Sequence, residues 1–335
     1  MDCRYTSYGL NLVANRKVPG FTPADSNAVD DVRIWIGHFP AAISEERTLW
    51  YKSPRGNRHG RPNLIISRLS RGAFHFAYDD QIEFLIGAEG GEVWCTWEGS
   101  ATIADAAVYL RGPILGFALR LRGVVCLHAS AVVLESSGIA ILAASGGGKS
   151  TTAATFAKLG YMVLADDLVA LARQNGQLLA LPGCPRVNLW PDAVESLFGD
   201  PETLPRVIPR GGVNDWWDKR FVDLEPGSQF QTEPAPLKAI YILGARSRRD
   251  GPPMIESMSA QDAFVWLTDG THAVYALDGK MRAVEFDALG DLAREVPVRL
   301  VKPSDNPERI EEMCSAIVED FAALRSASAG AEVLV

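Results

Sequence analysis

The groups best suited to holding a phosphate lie within one run, Ala143-Ala144-Ser145-Gly146-Gly147-Gly148-Lys149-Ser150-Thr151. The run fits the pattern G-x-x-x-x-G-K-[S/T], with Ala143 in place of the first glycine. Residues without side chains let successive backbone N–H groups curl around an anion, and a helix beginning near Lys149 adds its positive end. Lys149 is then the cation for the β- and γ-phosphates of ATP, and the Ser150 hydroxyl a ligand for Mg²⁺. The nucleotide contacts expected are Ser145, Gly146, Gly147, Gly148, Lys149, Ser150 and Thr151. Alanine suits the loop's first position unless the backbone there needs a positive φ. The plain alternative is a glycine loop that binds nothing. Against it, an apolar strand (Ile139–Ala143) runs into the loop and a helical stretch (Lys149–Leu159) leaves it.

Seventeen residues beyond Lys149, the apolar run Met162–Ala165 ends in Asp166-Asp167. Carboxylates at the C-terminal end of a strand stand where α/β sheets bind ligands. One could hold the metal, and the other could accept the proton of an attacking hydroxyl, as phosphoryl transfer to an alcohol requires. A turn or helix cap is the ordinary alternative for such a pair. His128, 21 residues before Lys149, is on its own a structural histidine beside a strand. Arg186 could clamp a phosphate or a carboxylate. Lys219 and Arg220 could stabilise charge on a transferring phosphoryl group. Each of these cations is equally readable as a surface or ion-pair residue. Trp190, Trp216 and Trp217 read as core, or as packing for an adenine.

These groups need a frame. Residues 1 to about 98 read as β-rich: Val32, Ile34 and Ile36 share one face, Phe74, Phe76 and Tyr78 alternate likewise, and Gln81–Ile86 and Glu92–Trp97 add further short runs. Tyr51–Pro62 is basic and reads as a solvated loop. Residues 101–122 look helical, with a break or kink at Gly112-Pro113. From Val124 the pattern becomes α/β, with apolar runs Val124–Leu134 and Gly138–Ala144 separated by a turn signal. Asn175-Gly176 marks a hairpin, and Pro191–Phe198 a helix with Pro at its first turn and Gly199 past its end. Ser228–Pro236 is linker-like, and Lys238–Gly244 is a core strand. A helix capped by Ser259, a second over Glu285–Glu295, a strand Val296–Val301 and a terminal helix from Pro307 to about Leu324 complete the chain, followed by a frayed tail. A length of 335 residues admits two domains. The expected division is 1–98, 99–325 and a flexible tail 326–335.

Acidic residues outnumber basic ones 41 to 33, a net charge of −8, which argues against a chain-wide binder of nucleic acid or anionic membrane. The most apolar stretch, Ile103–Val125, is interrupted by Asp105, Arg111, Pro113, Arg120 and Arg122, so no membrane span is expected. Met1-Asp2-Cys3-Arg4-Tyr5 lacks the apolar centre of a signal peptide. Five cysteines, odd in number and without a C-x-x-C, suit reduced thiols in a cytoplasmic protein.

The combination of Leu127-His128 ahead of a strand, the Ser145–Ser150 loop, a helix ending in a Gly-aromatic turn, and Ala165-Asp166-Asp167 resembles the catalytic core of the HPr kinase/phosphorylase superfamily. That resemblance implies an α/β, P-loop kinase core of the HPr kinase type with a smaller N-terminal β-rich domain. It implies that Asp166 is the general base, helped by His128, and that Ser150 and Asp167 serve the metal. Cys184–Pro191 is similar in place to the family's signature loop but not in sequence, leaving Asp192 or Glu195 as guesses for a further acid. The reverse, phosphorylase reaction is therefore not carried over. The chain is most similar to HPr-kinase-related kinases of lasso-peptide clusters, on Tyr8-Gly9-Leu10, Asp31-Val32, Leu127–Ala131 and Lys219-Arg220 ahead of Phe221–Leu224. The resemblance implies ATP-dependent phosphorylation of a serine on a peptide or protein, in these relatives the C-terminal serine of a precursor peptide. A small-molecule kinase on the same core, and a nucleotide-sensing module whose catalytic set has decayed, are the other readings. A homo-oligomer is left open.

Overall fold

The computed structural model describes residues 2–24, 28–40, 46–57, 60–246 and 252–332. Part of the basic Tyr51–Pro62 stretch, residues 58 and 59, lies outside them, as do residues 333–335 of the tail.

The first ninety-odd residues alternate apolar and polar over short runs, and they form a nine-stranded sheet. Its strands are β1 (Cys3–Ser7), β2 (Leu10–Ala14), β3 (Thr22–Pro23), β4 (Val32–Ile36), β5 (Arg47–Lys52), β6 (Leu64–Leu69), β7 (Phe74–Tyr78), β8 (Ile82–Ile86) and β9 (Glu92–Trp97), in the order β3-β1-β2-β4-β9-β8-β7-β6-β5. Ser7 pairs with Leu10 across a two-residue turn in which Tyr8 and Gly9 both have positive φ, the hairpin geometry whose twist matches the strands. The sheet's inner face rests on a helical stretch: α1 (Ile103–Tyr109), one π-helical turn over Leu110–Ile114, and α2 (Leu115–Leu121). The expected break at Gly112-Pro113 is this π turn, which absorbs the proline without ending the helix. Ala106, Leu110, Ile114 and Phe117 share one apolar core with Ile34, Phe76 and Phe84, so the first sheet's core extends past residue 98. Each large side chain fully buried there stabilises the fold by about 1.5–3 kcal/mol.

The second sheet, also of nine strands, is mostly buried. Its elements follow as β10 (Cys126–Leu127), β11 (Ala129–Leu134), β12 (Ser137–Ala143), α3 (Lys149–Lys158), β13 (Met162–Ala165), β14 (Val169–Gln174) and β15 (Gln177–Ala180). A two-stranded ribbon, β16 (Arg186–Leu189) with β17 (Arg220–Asp223), brackets α4 (Pro191–Phe198). Then come β18 (Ala235–Leu243), β19 (Met254–Ser257), α5 (Ala260–Asp269), α6 (Gly279–Glu295), β20 (Val298–Lys302) and α7 (Ile310–Glu332). The order is β10-β14-β15-β18-β12-β11-β13, with β20 joined to β18 and β19 to β20. β12 runs parallel to β18, and β18 to β20. β11 is antiparallel to both β12 and β13. Four strands, β13, β12, β18 and β20, thus end at one edge of the sheet, and β11 begins there.

Some boundaries moved. The stretch Ser228–Pro236 is less a linker than an edge: Phe230 is buried and Ala235 already belongs to β18. Helix α6 starts at Gly279 rather than Glu285, because Asp278 caps it by accepting from the Met281 N–H at 2.7 Å. Helix α7 continues to Glu332 through the stretch expected to fray. All five cysteines are free thiols, four of them buried. Among the described residues no helix is long and apolar enough to cross a membrane.

Candidate functional site

A cavity of about 760 Å³ opens at the edge where the four strands end. That is the size range of small-ligand sites, at the place where open α/β sheets bind ligands. One wall is the glycine loop between β12 and α3. Gly146 (φ 76°) and Gly148 (φ 103°) adopt left-handed backbone that side chains resist. Gly147 does not, but a Cβ there would lie 2.7 Å from the Ala143 Cβ and 2.9 Å from the Ala144 carbonyl oxygen. Each glycine is therefore required, for two different reasons. Ala143 closes β12 with a negative φ, so the missing first glycine costs the loop nothing in backbone strain. Gly148 is the N-cap of α3 and offers no side-chain cap, leaving the first-turn N–H groups available to an anion.

Lys149 is buried within this wall and donates to the Ala143 carbonyl oxygen at 3.1 Å. Burial pulls its ammonium below the usual lysine range, while Asp167 and then Asp166 act the other way. Ser145 to Thr151, all seven expected contacts, line the cavity. So does Arg246, just past the end of β18, whose Nη2 comes within 3.4 Å of where a Cβ on Gly148 would stand. Leu243, Pro303, Ile310 and Met313 supply an apolar side to this half.

The facing wall is assembled from separate segments. β13 ends at Ala165, just before Asp166, and Asp167 takes a left-handed φ of 64°, a conformation that Asp tolerates better than most residues. The reversal sends the two carboxylates to different places. Asp167 lines the cavity. Asp166 does not: it is buried beneath, accepting from the Ser130 hydroxyl at 2.6 Å and the Asn188 backbone N–H at 3.2 Å. Burial first, then the neighbouring Asp167, lifts its carboxyl to about 6. His128 lines the cavity between β10 and β11, with its Nδ1 2.9 Å from the Asp167 carbonyl oxygen. A carbonyl can only accept, so Nδ1 carries the proton and Nε2 keeps a lone pair. Burial, and then Lys149, hold this imidazole below the ordinary histidine range.

The three further cations separate. Lys219 lines the cavity, its ammonium 5.5 Å from the ring centres of both Trp190 and Trp217. Arg220, next in sequence, points elsewhere: its side chain is 3% exposed and paired with Glu202 at 2.7 Å and Asp218 at 2.9 Å. Lys219 is the last residue of the loop and Arg220 the first of β17, so the loop leaves one cation at the cavity edge while the strand's first residue is spent on carboxylates. Arg186 is also spent, held by Asp223 at 2.7 Å and stacked over Phe221. Neither Arg186 nor Arg220 lines the cavity. The tryptophans are not core: Trp190 and Trp217 line the cavity in an edge-to-face pair, and Trp216 is 76% exposed.

Sequence reading missed Arg246, Asn188 and the 303–313 segment. The first and last follow parallel strands at their C-terminal ends, a position rule that would have found them. Asn188 had no such signal. Its Oδ1 is buried on the cavity wall without a hydrogen-bond partner.

For a metal, the cavity wall carries the Ser150 hydroxyl and the carboxylates of Asp167, Asp192 and Asp305, with the imidazole of His128 as a nitrogen donor. Among the described residues no cluster of three or more His, Cys, Asp or Glu could hold an ion unaided. That is a poor site for zinc. It fits Mg²⁺, which takes one or two protein oxygens together with the phosphates of a nucleotide.

No family model matches the chain, and no curated protein matches it in sequence. Among solved structures, the HPr(Ser) kinase/phosphatase from Coxiella burnetii aligns over 62% of this chain and 95% of its own length, at 12% identity and a TM-score of 0.31. A likeness of that degree decides neither architecture nor activity, so the functional reading rests on the cavity's own geometry.

Proposed function

We propose that the chain is an ATP- and Mg²⁺-dependent kinase that transfers the γ-phosphoryl group to a serine hydroxyl of a peptide or protein. One observation carries the reading. A glycine loop with Lys149 and Ser150 at a helix N-terminus faces a cavity-lining carboxylate, Asp167, and a neutral imidazole, His128, across a single cavity. The loop would cradle the β- and γ-phosphates, with Lys149 and Arg246 as their cations and the Leu243–Met313 side against the nucleobase. Ser150 would hold Mg²⁺ together with the phosphate oxygens, and the ion when bound would neutralise phosphate charge. The acceptor hydroxyl gives its proton to Asp167 as its oxygen attacks the γ-phosphorus and ADP departs. His128 fixes the turn at Asp167 through its Nδ1–H, and Asp166 braces Ser130 and Asn188 behind it. The base expected from the sequence is Asp166 and the metal ligand Asp167; because Asp166 is buried and does not line the cavity, we give the base's role to Asp167. Lys219 stands on the acceptor side, while Arg186 and Arg220 hold the β16–β17 ribbon and the loop before it. This assigns the chemistry to the 99–325 part of the chain. The narrower substrate, the C-terminal serine of a lasso precursor peptide, rests on the sequence resemblance alone.

Calorimetric titration with ATP and Mg²⁺, followed by mass spectrometry of serine peptides, free amino acids and sugars incubated with the chain, tests the reading. Phosphopeptide is the expected product. Phosphorylation of only small acceptors makes it a small-molecule kinase, and ATP binding with no product from any acceptor makes it a nucleotide sensor.

A further inference from the structure

We propose that Asn214 is a positioning residue, whose side-chain amide fastens the loop bearing Trp217 and Lys219 to two buried carboxylates outside the cavity, Asp80 and Asp105. The inference rests on the kinase reading only in taking Lys219 as part of the acceptor side.

The loop before β17 folds on itself between Gly212 and Trp217. The Asp215 N–H donates to the Gly212 carbonyl at 3.3 Å and the Trp217 N–H to the Asn214 carbonyl at 2.9 Å. Arg206 closes it by pairing with Asp215 and Asp218. The segment therefore behaves as one unit, and whatever holds Asn214 also sets Trp217, three residues on, and Lys219, two further. Asn214 is 6% exposed and forms no part of the cavity wall. Its Nδ2 donates to Asp80 Oδ2 at 2.7 Å and to Asp105 Oδ1 at 3.2 Å.

The two acceptors belong to other parts of the fold. Asp80 sits in the β7–β8 turn of the first sheet, where it also accepts from the Tyr109 hydroxyl at 2.8 Å. Asp105 lies in the first turn of α1, fully buried, accepting from the Thr102 N–H at 2.9 Å and hydroxyl at 2.6 Å. The donors reaching both carboxylates are an amide, a phenol, a hydroxyl and backbone N–H groups, so loss of the Asn214 amide leaves buried anions short of donors. Burial already lifts Asp80 above the usual carboxylate range, and Asn214 is the largest influence acting against it. Two N–H groups without charge are what this position demands. An aspartate would set three carboxylates together, and an apolar residue would donate nothing. The first sheet thereby sets where one wall of the cavity stands.

The test compares the full-length chain with Asn214→Asp, Asn214→Ala and Asn214→Gln. Deuterium exchange is read separately on peptides from the 209–219 loop and from the 145–158 glycine loop, and Lys219 acetylation by an amine-acylating reagent is followed by mass spectrometry. Loss of charge-assisted hydrogen bonds should speed exchange of the 209–219 peptides about tenfold or more in the Asp and Ala variants. Lys219 should acetylate faster in step, while the glycine-loop peptides and ATP affinity stay within about twofold of the parent. Gln, which keeps both donors, should lie closest to the parent. A space-filling role predicts the reverse order, with the isosteric Asp near the parent and Gln worst. That order, or unchanged exchange in 209–219, overturns the proposal. Should the Asp variant fail to fold, the ranking of Gln against Ala decides in the same way. A parent chain that binds no ATP overturns the kinase reading but leaves this ranking readable, and normal ATP binding with the inverted ranking overturns the role of Asn214 alone.

Discussion

The two walls of the cavity are built in opposite ways. One is a single strand–loop–helix in which Ser145 to Thr151 follow one another along the chain. The other draws His128, Asp167, Asn188, Trp190, Trp217 and Lys219 from segments up to 91 residues apart (219 − 128). The first is held by local backbone geometry, above all by three glycines, two with a positive φ and one with no room for a Cβ. The second is held by what packs behind it: Ser130 and Asn188 on Asp166, and the Asp167 carbonyl on His128. A wall of the first kind can lose its ligand without moving. A wall of the second kind can lose its alignment while the nucleotide side stays intact.

That contrast gives the largest expected effect. Asp167→Asn should lower phosphoryl transfer by about 10²–10⁴-fold while ATP binding by calorimetry is kept, since a base acts in the transition state. Asp166→Asn should cost less. If the buried residue shows the greater loss, Asp166 is the base after all and the assignment from the cavity wall fails. Next, Lys149→Ala should weaken ATP binding by about 10–100-fold, the worth of a buried charge-assisted contact to phosphate. Unchanged affinity in a folded variant would remove the glycine wall from nucleotide binding.

A subtler difference shows in acid. His272 lies behind His128, ring centres 6.1 Å apart, and its Nδ1 has no hydrogen-bond partner. Burial, then His128, hold it down to about 3. The unfolded chain protonates this histidine below about pH 6.5 while the folded chain keeps it neutral, so the unfolded state binds the extra proton. Stability therefore falls as pH drops from about 6.5 toward 3, by at most about 1.4 kcal/mol per pH unit for this group. Melting temperatures of the parent and His272→Asn, taken near pH 7.5 and near pH 5, should diverge in the acid with the variant losing less. Equal losses would show that the assembled wall carries no acid-sensitive group at this position. The smallest effect belongs to the glycine wall: Ala143→Gly should leave ATP affinity within about twofold, because Ala143 already has a negative φ. A larger gain would mean that the alanine does strain the loop.

Features settled within a few residues were legible without the fold. The Asn175-Gly176 hairpin is present with both residues at positive φ, Ser259 caps α5, and Gly199 ends α4 at φ 86°. Each depends on turn or cap chemistry that its own neighbours complete. Less legible were the start of α6, where Asp278 outweighs a weak apolar pattern, and the proline-tolerant π turn at Leu110–Ile114, which tertiary packing against the first sheet sustains.

By itself the sequence determined the α/β pattern, the glycine loop and the carboxylate pair at the end of a strand, since each is written in adjacent residues and their backbone preferences. Tertiary structure decided which carboxylate meets the cavity, because the left-handed turn at Asp167 turns one side chain outward and buries the other. It also decided which cation stays available, because Arg186 and Arg220 meet Asp223, Glu202 and Asp218 while Lys219 comes to rest over two indole rings. Charge partners are set by distances in space, and no spacing along the chain encodes them.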